Sequence, residues 1–119
     1  MDKILEQSLL YDFYGELLTS HQKEIYEDFV LNDLSLGEIA QDREISRQGV
    51  YDIVKRCNRQ LAGYEEKLRL VEKFLDTKKK VEEIHRQAQT ILSSRDDRSR
   101  VLDCVEKIES ISNGILEEM

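Results

Sequence analysis

The chain contains no proline, no tryptophan and only two cysteines, Cys57 and Cys104. Two cysteines are too few for a disulfide framework, and each reads as a small buried apolar residue. A metal site needs further ligands at matching spacing; His21 and His85 do not supply it, so no metal is expected. No apolar run approaches the ~18 residues of a membrane span, and the N-terminus lacks a signal-peptide pattern. The expected location is therefore the cytoplasm, without membrane contact. Glycine-rich phosphate loops, Ser-His-Asp or Cys-His patterns and paired acids in an apolar setting are also missing. Neither an enzyme nor a cofactor is expected.

What is present is charge and aliphatic periodicity, with 36% charged and 39% apolar residues. That mix predicts an all-α protein rich in Glu, Lys, Leu and Ile, too apolar and too periodic for a disordered chain. The formal net charge of −7 is unevenly spread. Residues 1–42 carry ten Asp or Glu against two Lys, whereas residues 43–60, "REISRQGVYDIVKRCNRQ", carry five basic residues against two acidic ones. An acidic whole argues mildly against general nucleic-acid binding, since phosphate contacts dominate such affinity. It leaves room for one local basic face.

Periodicity places the helices. Residues 3–18 set Leu5, Leu9, Leu10, Phe13, Tyr14, Leu17 and Leu18 at steps of three and four, a helix with a broad apolar face. Thr19 and Gln22 have capping-box spacing and predict a second helix over about 20–31, carrying Ile25, Tyr26, Phe29 and Val30. Asn32 and Asp33 are turn residues. Ser35 and Glu38 repeat the capping-box spacing and start a short helix through Ile39 and Ala40. Ser46 starts a longer one through Val50, Ile53 and Val54 to Leu61. Leu61, Tyr64, Leu68, Val71 and Leu75 then form a heptad-like seam, interrupted by Asp76-Thr77 and Lys78–Lys80. A further apolar series runs from Val81 to Leu92. "SSRDDRSR" (93–100) reads as a loop, and Val101 to Leu116 as a last amphipathic helix. No internal repeat or Pro/Gly-rich linker appears. The pattern changes near residue 62, which divides a domain over 1–62 from a helical extension over 63–119.

Short helix, tight turn and longer helix, preceded by a supporting helix, is the order of a helix-turn-helix unit. Ala40 supplies the small residue where the two helices cross. Ile39, Ile45, Val50 and Ile53 fall where such a unit buries apolar side chains. Ser46 caps the second helix, whose first turn then offers backbone N–H groups and a positive dipole end to a phosphate. With Val50, Ile53, Val54 and Cys57 inward, Arg47, Gln48, Tyr51, Asp52, Lys55, Arg56 and Arg59 lie outward. Ser46, Arg47, Gln48, Tyr51, Lys55, Arg56 and Arg59 are the candidate nucleic-acid contacts, Arg and Gln suiting base edges and Lys or Arg suiting phosphates. The alternative is a solvated face in a charge-rich protein. Tyr51 and Tyr64 also have a second reading, since aromatic residues at helical spacing belong more often to a core.

The stretch "SLGEIAQDREISRQGVYDIVKRCNRQLAGYEEKL", with the upstream "YGELLTSHQKEIYEDFVLND", resembles the YlxM family of small bacterial proteins. The resemblance covers roughly residues 3–76. It implies a helix-turn-helix similar to the promoter-reading C-terminal domain of sigma factors, here with a long helical extension. It also implies a regulatory or accessory role linked to the signal recognition particle, whose genes the family's genes adjoin. Two features depart from the family pattern. Arg43 and Glu44 stand where an apolar residue and Gly are usual, and Gly49 stands where a small helix former such as Ala is usual.

Two functions follow as expectations. The first is a DNA-binding regulator; the second is an accessory factor that binds the RNA or proteins of the signal recognition particle. The seam at 61–75 packs either within the chain or between two chains, and the expectation leans to a homodimer.

Overall fold

The computed structural model describes residues 3–119. Its helices are α1 (Lys3–Tyr14), α2 (Ser20–Val30), α3 (Leu36–Arg43), α4 (Arg47–Leu68), α5 (Leu70–Ser93) and α6 (Arg98–Glu118), with a short 3-10 turn at Gly15–Leu17. No strand occurs among the described residues, and the protein is all-α. The chain forms two compact units, Met1–Val71 and Glu72–Met119. The division lies beyond the pattern change near residue 62, a position that falls inside α4.

In the first unit α4 is the central element, touched by α1, α2 and α3. Val50, Val54, Cys57 and Leu61 recur at steps of four, three and four and are all buried, as a helix with one inward stripe requires. Against them pack Tyr11, Tyr14, Leu18, Ile25, Tyr26 and Ile39, also buried. Each such side chain removed from water contributes roughly 1.5–3 kcal/mol. The face of α1 is narrower than its sequence suggests. Tyr11 and Tyr14 are its buried residues, while Leu5, Phe13 and Leu17 are exposed. Steps of three and four link 11, 14 and 18, and that is the stripe that packs.

The helix starts follow from local side-chain chemistry. Thr19 Oγ1 accepts from the Gln22 N–H at 3.2 Å while the Thr19 N–H donates to Gln22 Oε1 at 3.1 Å. Ser35 and Glu38 repeat the reciprocal pair at 3.1 and 3.2 Å. In each case two N–H groups without intrahelical partners are satisfied.

The seam at 61–75 does not lie on one helix. Arg69 adopts a left-handed conformation, φ 54° and ψ 32°, which ends α4 and begins α5 one residue later. Leu61 and Val71 are buried in the first unit, whereas Leu68 is exposed. The joint is closed by side chains distant in sequence. Tyr14 Oη donates to Glu65 Oε1 at 2.5 Å and accepts from the Leu70 N–H at 3.1 Å. Glu65 Oε1 also accepts from the Val71 N–H at 3.0 Å. A phenol and a carboxylate thus cap the first turn of α5.

In the second unit, α5 runs unbroken through Lys78–Lys80, so the gap in apolar pattern there is not a gap in the helix. The predicted loop is shorter than 93–100. Only residues 94–97 lie outside helices, and Asp97 caps α6 by accepting from the Arg100 N–H at 3.1 Å. Lys80 pairs with both Asp76 and Glu118, which ties the start of the hairpin to its end. Cys104 is buried.

Candidate nucleic-acid interface

Helices α3 and α4 are joined by Glu44, Ile45 and Ser46. Glu44 takes the left-handed conformation, φ 56° and ψ 40°, at the position where the family pattern has Gly. Its N–H and that of Ile45 both reach the Ala40 carbonyl, the latter at 3.1 Å. These bonds terminate α3 although the residue is strained by about 1 kcal/mol. Ser46 is extended and its Oγ accepts from the Gly49 N–H at 2.9 Å. A Cβ at Gly49 would stand 3.0 Å from that same Oγ. Glycine here therefore leaves the cap its room, at a helix-propensity cost of roughly 1 kcal/mol.

Helix α2 supports both helices of the motif. Arg43, in the last turn of α3, donates to Asp28 through Nε at 3.1 Å and Nη2 at 2.9 Å, and to Glu24 through Nη1 at 3.1 Å. The hydrogen bond and charge of Asp28 raise its already high pKa. One of the five basic residues of 43–60 is thus a strut between α2 and α3. Of the motif's apolar positions, Ile39 and Val50 are fully buried, while Ala40, Ile45 and Ile53 are half-buried along the crossing.

Ser46, Arg47, Gln48, Tyr51, Lys55, Arg56 and Arg59 are all exposed. At ~100° per residue, Gln48, Lys55 and Arg59 share the outermost face of α4. Arg47 and Tyr51 flank one side and Arg56 the other. Tyr51 is 44% exposed, so it belongs to this surface and not to the core. Lys55 Nζ lies 5.9 Å from its ring centroid, within cation–π range. Tyr64 is half-buried, its ring 6.0 Å from that of Tyr14. Among the described residues, Arg47, Lys55, Arg56 and Arg59 have no ion-pair partner, whereas Lys23 and Arg43 are bound to Glu16, Glu24 and Asp28.

Asp52 stands in the middle of the same face, and its Oδ1 accepts from Gln48 Nε2 at 3.1 Å. A carboxylate there opposes phosphates, yet it orients the Gln48 amide and can accept from a cytosine amine. Sequence reasoning placed it outward but gave it no role. Its signal was the i, i+4 spacing from Gln48.

Cys57 is buried at the centre of α4, and burial pushes its thiol up to about 11. Among the described residues no group of His, Cys, Asp and Glu is arranged to hold a metal ion. No helix among them is long and apolar enough to cross a membrane.

The motif geometry agrees with comparisons to known proteins. Residues 1–101 match a family model described as "Putative helix-turn-helix protein, YlxM / p13 like". A UPF0122 protein of Caldanaerobacter subterraneus is 57% identical over 83 residues, covering 70% of this chain and 71% of that relative. A UPF0122 protein of Acetivibrio thermocellus is 53% identical over 91 residues, 76% of this chain and 78% of the relative. The UPF0122 protein YlxM of Bacillus subtilis is 38% identical over 111 residues, 93% of this chain and 97% of the relative. With the family model spanning the helix-turn-helix, α5 and the start of α6, the chain belongs to the UPF0122 family of YlxM-like helix-turn-helix proteins.

Proposed function

We propose that this protein is a cytoplasmic DNA-binding regulator that lays the outer face of α4 into a major groove. The observation that carries the reading is the contrast in basic side chains. Among the described residues, Arg47, Lys55, Arg56 and Arg59 project from one helix without acidic partners, while Lys23 and Arg43 are consumed in ion pairs. Arg47 and Gln48, in the first turn after the Ser46 cap, reach base edges. A good bidentate contact there discriminates by roughly 1–3 kcal/mol. Lys55, Arg56 and Arg59 hold phosphates, with Tyr51 packed beneath Lys55. Such a motif reads two half-sites as a homodimer, in the manner of helix-turn-helix repressors. Likeness to the promoter-reading domain of sigma factors belongs to the same reading.

A second reading is an accessory factor of the signal recognition particle, binding its RNA or proteins. The net charge of −7 favours it, because an acidic protein is a weak general DNA binder. Salt titration separates the two. Wild type and a Lys55→Ala/Arg59→Ala variant are bound to genomic DNA fragments and to signal-recognition-particle RNA. For DNA, neutralising two phosphate contacts flattens the log K against log salt slope by about two. Unchanged slopes for both ligands would mean that α4 is merely solvated. A change with RNA alone would select the accessory role.

A further inference from the structure

A groove opens between the start of α1 and the middle of α4, within the first unit. Its volume is about 470 Å³, inside the roughly 300–1,000 Å³ of small-molecule sites. Tyr51, Val54, Lys55 and Asn58 line it at steps of three, one and three, which puts them on one stripe of α4. Lys3, Ile4 and Gln7 of α1 contribute a second wall, and Phe29 of α2 and Leu36 of α3 complete the lining. Val54 is buried, Phe29 and Leu36 are half-buried, and Ile4 is exposed. The apolar lining thus runs from the core of the unit out to solvent.

The charged lining has one sign. Lys3 and Lys55 border the groove, and among the described residues no Asp or Glu does, in a chain of net charge −7. Glu6 borders a separate, smaller hollow that Lys55 does not line. Neither lysine has an ion-pair partner among the described residues. Asn58 Oδ1 accepts from Gln7 Nε2 at 3.2 Å and from Tyr26 Oη, which ties α1 and α2 to α4 beside the groove. The acceptor of that amide is therefore filled, while its Nδ2 donor has no hydrogen bond among the described residues. Two ammonium groups and an amide N–H are donors for an anion and offer nothing to a cation. A mainly apolar hollow with a few such groups suits a small organic molecule.

We infer that this groove binds a small organic anion, its apolar body on Phe29, Leu36 and Val54 and its charged group at Lys3, Lys55 and the Asn58 amide. Nucleic-acid phosphates would use the ammonium groups but leave the apolar floor uncovered. Tyr51 and Lys55 belong both to the groove and to the outer face of α4. A bound anion withdraws Lys55 from phosphates and sets a like charge beside them, so the ligand releases nucleic acid. That competition rests on the nucleic-acid reading above; the ligand site does not.

Calorimetric titration of the full chain with decanoate and with naphthoate tests the site, one carrying an aliphatic body and the other an aromatic one. At least one of them is expected to bind, at one molecule per chain, and to shift the backbone amides of Ile4, Leu36, Tyr51 and Asn58. Acetate, which lacks the body, and decylamine, which reverses the charge, are expected not to bind there. A Lys3→Gln/Lys55→Gln variant of unchanged helix content should lose about tenfold or more in affinity. Lys79→Gln, which removes an exposed lysine of the other unit, should lose none. Saturating carboxylate should also weaken DNA binding and lower its log K against log salt slope by about one. The site is overturned if neither carboxylate binds, if decylamine binds equally well, if Lys3→Gln/Lys55→Gln keeps full affinity, or if the amide shifts are confined to α5 and α6. Binding that leaves DNA affinity unchanged would overturn the competition alone. A chain that binds the carboxylate but no nucleic acid would sink the regulator reading and keep the ligand site.

Discussion

At the scale of single residues, Glu44 shows how a local rule can be broken at a known position. The turn between α3 and α4 needs a left-handed residue, and Glu44 adopts φ 56° there. An L side chain in that region costs roughly 1–2 kcal/mol, and glycine removes most of it. Its carboxylate has no hydrogen bond or ion pair among the described residues, and its structural bond is the backbone N–H to the Ala40 carbonyl. Glu44→Gly should therefore stabilise the protein by about 1 kcal/mol, offset in part by the freer unfolded chain. A unit of this size then melts about 4 °C or more higher. A lower melting temperature for Glu44→Gly would show that the carboxylate is needed after all.

At the scale of elements, what could be read from the sequence was what is decided locally. Thr19 with Gln22 and Ser35 with Glu38 mark helix starts because each pair closes within three residues. Ser46 caps α4 for the same reason. The α4–α5 joint was hidden because its determinants come from afar: Tyr14 lies 51 residues from Glu65 and 56 from Leu70. Apolar spacing from Leu61 to Leu75 looks continuous, and only the tertiary cap at Leu70 and Val71 shows why the helix stops. The reverse error came at Lys78–Lys80, where a polar interval sits inside α5 because the lysines face solvent or pair along the helix. At the candidate interface the exposed basic positions were legible from the phase of α4. Arg43 as a strut and Asp52 as a partner of Gln48 were not, since both depend on which acids stand nearby. The joint yields a prediction. Tyr14→Phe leaves the Leu70 N–H without its acceptor and takes the phenol donor from Glu65, which keeps the Val71 N–H, while keeping the ring in the core. The expected cost is about 1–3 kcal/mol in denaturant melts, with hydrogen exchange accelerated at Leu70 and Val71. A loss confined to global stability, with those two amides still protected, would place the effect elsewhere.

At the scale of the whole molecule, the core of the first unit holds groups that must stay protonated. Burial raises Tyr11, Tyr14 and Tyr26 above their ordinary value, with hydrogen bonds to Glu27 and Glu65 adding to the first two. Burial also lifts the Cys57 thiol to about 11. All four are neutral acids whose folded pKa exceeds the unfolded one, roughly 8.5 for a thiol and 10 for a phenol. The folded state thus binds more protons than the unfolded state once pH passes those values. By linkage, stability is whole below about pH 8. It declines between about 8.5 and 11 as the unfolded thiol ionises, and more steeply above 10 as the unfolded phenols follow. Melts from pH 7 to 10.5 should show a falling Tm. Absorbance near 295 nm should show that three of the five tyrosines ionise only with unfolding. Constant stability to pH 10.5, or titration of all five phenols in a chain that keeps its helix signal, would mean that Tyr11, Tyr14 and Tyr26 are not held in a closed core.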